Sequence, residues 1–88
     1  MDKYNFKYKY LNKKINDYLK YYDLDLKDLA ISIGLSEKTL KKTLNNERDF
    51  YLYEIYKLVD VLKLNDNEIT KAFFTINATN TKEDKNNG

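Results

Sequence analysis

Gly34 is the only glycine inside this 88-residue chain, the other being Gly88 at the end, and there is no proline. Glycine and proline are the residues that most often interrupt helices. Only polar capping residues are left to punctuate long runs of helix formers, so helices are expected throughout. At this length they belong to one domain.

Apolar spacing divides the chain. Tyr4, Phe6, Tyr8 and Tyr10 alternate with polar residues, which would suit a strand, but a lone strand in a short helical chain has no partner. From Tyr8 the period changes. Tyr8, Leu11, Ile15, Tyr18, Leu19 and Tyr22 fall on one helical face, predicting helix 1 over 8–22 with Tyr4 and Phe6 as an aromatic lead-in folded onto it. Asp25 is placed to cap a second helix with the stripe Leu26, Leu29, Ala30 and Ile33. Gly34 reads as a left-handed stop. Ser36 then caps a third helix over 37–45, with Leu40 and Leu44 inward and Lys38, Lys41, Lys42 and Asn45 outward.

After the polar loop 46–49, helix 4 is expected over 52–63 with Leu52, Ile55, Leu58, Val59 and Leu62 as its stripe. Asn65 and Glu68 form a capping-box pattern that opens helix 5 with Ile69, Ala72, Phe73 and Phe74. Of the adjacent phenylalanines, one is expected in the core and the other at a dimer contact. Tyr18, Tyr22 and Tyr56 are read as packing residues. Apolar content collapses after Phe74, so residues 76–88 are expected to be a disordered polar tail beyond a domain at 1–75. The fold class is all-α, a compact five-helix bundle.

Composition narrows the function. With no cysteine and no histidine, disulfide scaffolds, zinc fingers and His- or Cys-dependent catalytic sites are excluded. No metal site or cofactor is expected, and an enzyme such as a nuclease has no support beyond scattered carboxylates. No apolar run approaches the ~18–20 residues that span a bilayer. The opening Met-Asp-Lys-Tyr has no apolar signal stretch behind it, so a cytoplasmic protein is expected.

The net charge of +2 is too small to announce a nucleic-acid binder, but its distribution is informative. Residues 1–22 carry +4, 23–35 carry −2, 36–48 carry +2, 49–74 carry −2, and 75–88 are neutral. Basic charge therefore gathers on the opening segment and on the third helix. A solvated helix face is the ordinary explanation of such lysines; a minor-groove arm is the alternative for the opening segment.

Residues 26–45, LKDLAISIGLSEKTLKKTLN, have the anatomy of a helix-turn-helix: small Ala30 for close approach, Gly34 at the turn, and Leu29, Ile33, Leu35 and Leu40 for a shared core. The stretch LAISIGLSEKTL resembles the core motif of the lambda-repressor-like (Cro/XRE-type) helix-turn-helix domains, and the likeness extends over about residues 6–75. A looser likeness links the opening Phe6, Tyr8, Leu11 and Ile15 and the closing EITKAFF-Thr75 to small phage regulators of Gram-positive hosts.

The resemblance implies a DNA-binding fold whose third helix enters the major groove. It places Glu37, Lys38, Lys41 and Lys42 at bases, and Ser36, Thr39, Asn45, Asn46, Arg48, Tyr51 and Lys27 at phosphates. Leu26 stands where the family often has glutamine, Thr43 where an apolar residue is usual, with Leu44 expected to take over the packing. Asn45-Asn46-Glu47 replaces a frequent Asn-Gly-Lys.

The leading expectation is thus a sequence-specific transcriptional regulator, a Cro-like repressor of a phage or mobile element. It would bind a palindromic double-stranded operator as a homodimer through helix 5 and lie with the host nucleoid. The competing expectation is the same module reused as a protein-binding antirepressor or host-defence inhibitor.

Overall fold

The computed structural model describes residues 5–76. Five helices follow one another: α1 (Lys9–Tyr22), α2 (Leu26–Ser32), α3 (Glu37–Leu44), α4 (Leu52–Leu62) and α5 (Asp66–Phe73). Helix α1 packs on α5 and α4, and α2 packs on α3. The core joins Leu11 and Ile15 of α1, Leu29 and Ala30 of α2, Leu40 of α3, Leu58 and Leu62 of α4, and Ala72 and Phe73 of α5.

Capping explains where the helices begin. Asp25 and Asp28 exchange side-chain acceptors and backbone amides at 3.0 Å in both directions. Asn65 and Glu68 do the same at 2.9 Å. Ser36 Oγ accepts the Thr39 amide at 3.1 Å. Each satisfies first-turn amides that have no partner inside the helix.

The first four helices end by one device. Asp23, Gly34, Asn46 and Lys63 all take left-handed backbone, with φ of 57°, 83°, 64° and 56°. The following residue's amide returns to a carbonyl five residues back: Leu24 to Leu19, Leu35 to Ala30, Glu47 to Lys42 and Leu64 to Val59, at 2.8–3.1 Å. These are Schellman closures. Only one uses glycine, which is why the sequence flags one stop of the four.

Several expectations from spacing need correction. Leu52 begins α4 with 62 % of its surface exposed, and Tyr22 and Tyr56 are exposed rather than packed. Thr43, not Leu44, takes the buried place on α3. Its hydroxyl donates to the Thr39 carbonyl at 2.8 Å and accepts from Arg48 Nη1 at 3.0 Å, so the polar atom is satisfied inside. Leu44 is half-buried at the edge of the core. Phe73 is buried and Phe74 exposed, the split that adjacency requires.

The lead-in does find a partner. Phe6 and Ile76 form an isolated antiparallel bridge, and the Lys7 amide donates to the Thr75 carbonyl at 2.6 Å. Ile76 therefore belongs to the folded unit rather than to the tail. The remainder of the expected tail, and Tyr4, lie outside the described residues. On the other edge Asn46 grips Phe6: its Oδ1 accepts the Phe6 amide at 3.0 Å, and its Nδ2 donates to the Phe6 carbonyl at 2.7 Å. Phe50 fills the space behind, edge-on to both Tyr8 and Phe73 at 5.6 and 5.5 Å between ring centres.

The most costly group in the interior is the carboxylate of Glu54, which is fully buried. Arg48 answers it with both terminal nitrogens, at 3.0 and 2.8 Å, and the Tyr51 amide donates to Oε1 at 2.9 Å. Burial pushes the Glu54 carboxyl up, but the Arg48 and Tyr51 hydrogen bonds and the Arg48 charge outweigh it, so the group sits below the ordinary carboxylate range. At the α1–α5 contact Glu68 is also held low, first by the Asn65 amide and then by Lys14, which it meets at 3.2 Å.

A carboxyl whose pKa is lower folded than unfolded stabilises the fold above the ordinary glutamate pKa of about 4.3. That contribution is lost as pH falls through the folded value. Thermal stability should therefore decline on acidification below about pH 4. Removing one partner of such a pair costs about 3–5 kcal/mol, in a domain whose whole stability is about 4–11 kcal/mol. Arg48→Ala should cost more than Glu54→Ala, because Arg48 retains a route to solvent and Glu54 has none. With Arg48 gone, burial governs Glu54 and the sign reverses, so the Arg48→Ala penalty should shrink in acid. Urea melts of both variants across pH check this; a penalty independent of pH would contradict it.

Gly34 has open space where a Cβ would lie, so Gly34→Ala should cost only the backbone strain, about 1–2 kcal/mol. Gly34→Asn should cost less in the same melts.

Candidate functional site

Ser36 starts α3 with its hydroxyl turned to the first-turn amide of Thr39, and it also donates to Thr39 Oγ1 at 2.9 Å. Inward-facing Leu40 and Thr43 then fix the helix's rotation. Residues on the opposite side of the helix must face out. Glu37, Lys38, Lys41, Lys42 and Asn45 accordingly line one shallow depression along the outer face of α3. Four of these are the residues expected at bases, and Asn45 was expected at a phosphate.

The electrostatics of this face are simple. Lys41 Nζ lies 3.3 Å from Glu37 Oε2, with both side chains substantially exposed. Such a pair is worth only about 0–1 kcal/mol and opens readily. Among the described residues, Lys38 and Lys42 have no carboxylate within ion-pair distance. The helix dipole adds positive potential at the Ser36 end. The result is a narrow, exposed, cationic ridge with one carboxylate that can stay on Lys41 or turn elsewhere.

The other expected phosphate residues lie outside that depression. Lys27 is exposed on the first turn of α2. Asn46 spends both side-chain atoms on Phe6, and Arg48 is directed at Glu54 and Thr43. Tyr51 keeps 57 % of its surface exposed, with the Arg48 guanidinium 4.6 Å from its ring centre. The loop after α3 is thus braced from within. The residues that brace it, Glu54 and Phe50, were missed by periodicity. Glu54 was legible as the residue three after Tyr51, the residue that caps α4, where a carboxylate reaches back to the capping amide; Phe50 lies in a loop and carries no such signal.

A second and larger concavity lies elsewhere, where Lys7, Lys9 and Tyr10 face Lys71 and Thr75. Lys7 and Lys9, of the opening segment, were expected on a solvated face, with a minor-groove arm as the alternative. Among the described residues no group of three acidic side chains is gathered as for a metal ion, and no helix is long and apolar enough to cross a membrane.

No curated protein matches the chain. Residues 4–76, most of its length, match a family known by the description "Protein of unknown function (DUF739)", and the chain belongs to that family.

Proposed function

We propose that this protein is a sequence-specific double-stranded DNA-binding transcriptional regulator, a Cro-like repressor of a phage or mobile element, with α3 as the helix laid in the major groove. The observation that carries this reading is the gathering of Glu37, Lys38, Lys41, Lys42 and Asn45 on one exposed face. That face belongs to a helix that follows its neighbour through a glycine turn, as in helix-turn-helix readers.

In this reading Lys38, Lys41 and Lys42 donate to guanine edges or nearby phosphates, and Glu37 accepts from cytosine when it leaves Lys41. Ser36 and Thr39 bring hydroxyls, and the helix start brings its positive end, to a phosphate. Asn45 and Lys27 flank these. Asn46, Arg48 and Tyr51 act mainly by holding the following loop in shape beside the backbone. The protein works in the host cytoplasm with the nucleoid, without a cofactor and without catalysis.

A single small module makes few phosphate contacts and loses affinity steeply with salt. A twofold dimer doubles them. Phe74, at the end of α5 with 55 % of its surface exposed beside buried Phe73, is the anchor we assign to that interface.

Anisotropy titrations of a duplex two helical turns long test the reading. Lys41→Ala with Lys42→Ala should weaken binding by about 5- to 150-fold, from about 1–3 kcal/mol of lost contacts. The slope of log affinity against log salt should become shallower by about one to two. Unchanged affinity with an intact fold would remove α3 as the reader. Sedimentation equilibrium should give a dimer for the native chain and a monomer for Phe74→Ala; a native monomer both free and on DNA would remove the interface.

A further inference from the structure

We propose that the groove formed by the lead-in, α1 and α5 is a docking site for an acidic, extended peptide segment of another protein. The groove is open to solvent, has a volume of about 950 Å3, and is lined by Lys7, Lys9, Tyr10, Lys13, Lys71 and Thr75 together with side chains of the next turn of α1. It stands on different helices from the α3 face, so its occupant does not compete with DNA for that surface.

Charge decides the class of ligand. Among the described residues, four ammonium groups surround the groove against one carboxylate, Asp17, and Asp17 is held by Lys13 at 3.2 Å. Among the described residues no carboxylate lies within ion-pair distance of Lys7, Lys9 or Lys71. Three cations at the rim of one concavity call for an anionic partner.

Shape and aromatic geometry choose between anionic partners. A single nucleic-acid strand would need an aromatic face on which a base could stack. Among the described residues Tyr10 is the only aromatic side chain in the lining, and its ring already carries Lys71 at 5.6 Å and Lys14 at 6.0 Å from its centre. Its hydroxyl is committed to Glu68 at 3.2 Å. A stacking base would therefore have to displace ammonium groups from that ring.

Spacing favours a peptide. Lys9 and Lys13 stand one turn apart, about 6 Å along the axis at 1.5 Å per residue. Side chains two apart on an extended strand stand about 6.6 Å apart on the same face. A segment with acidic residues at alternate positions thus places one carboxylate against Lys9 and the next against Lys13, whose exposed pair with Asp17 is weak and opens readily. Its other face can carry apolar side chains onto the lysine stems and the edge of Tyr10.

The test uses the full chain and a labelled synthetic nonapeptide with alternating Asp and Leu. Amide chemical-shift mapping on the native protein locates the site, and anisotropy measures affinity. The expected result is perturbation centred on Lys9–Asp17, Lys71 and Thr75. Lys9→Glu with Lys71→Glu should weaken binding by about tenfold while leaving duplex DNA affinity and the melting curve unchanged. Three results would overturn the proposal. They are perturbation centred on Lys38, Lys41 and Lys42, binding no tighter than that of a neutral peptide of the same length, and tighter binding of oligothymidylate than of the peptide in the same groove.

Discussion

A carboxylate with no access to water is tolerated here only because Arg48 meets it with two parallel hydrogen bonds, and much of the bundle is arranged around that pairing. Glu54 sits on α4, Arg48 on the loop after α3, and Thr43 on α3 supplies a third contact. One ionic cluster therefore sets how α3 stands relative to α4. The same loop, through Asn46, reaches back to the lead-in, and the lead-in pairs with the chain beyond α5. The orientation of the cationic ridge on α3 is thus inherited from buried polar contacts as much as from leucines. Breaking one partner would leave an unpaired charge inside, whereas an apolar replacement of both partners removes that penalty.

The five helices were legible because the sequence obeys period and capping together. Asp25, Ser36 and Asn65 stand immediately before apolar stripes, and each caps the helix it precedes. What period cannot show is which end of a stripe runs out of neighbours. Leu52 and Tyr22 fall on the right face of their helices but at ends where the bundle offers nothing to pack against. Thr43 misled for a related reason: residue type suggested exposure, while a hydroxyl with two partners is at home in the interior.

The outward residues of α3 were legible for the opposite reason. Once Leu40 is inside and Ser36 caps the helix, Glu37, Lys38, Lys41, Lys42 and Asn45 can only face solvent. The loop residues were not: Asn46 and Arg48 were expected at phosphates, but Asn46 is recruited by Phe6, 40 residues away, and Arg48 turns inward to Thr43 and Glu54 on the helices either side of the loop. The basic opening segment divides in the same way. Lys14 turns to Glu68 and becomes part of the α1–α5 contact, while Lys7 and Lys9 stay on the surface around a groove. A small bundle with little interior of its own thereby presents two separate cationic surfaces, a small one along α3 and a larger groove beside α1.

Whether the α3 surface reads sequence is best decided by selection from a randomised duplex pool at physiological salt, carried through to sequencing of the retained DNA. A consensus made of two inverted half-sites about 10 base pairs apart, centre to centre, is the predicted result. A retained pool with no consensus, or no retention at all, would contradict sequence-specific reading by α3.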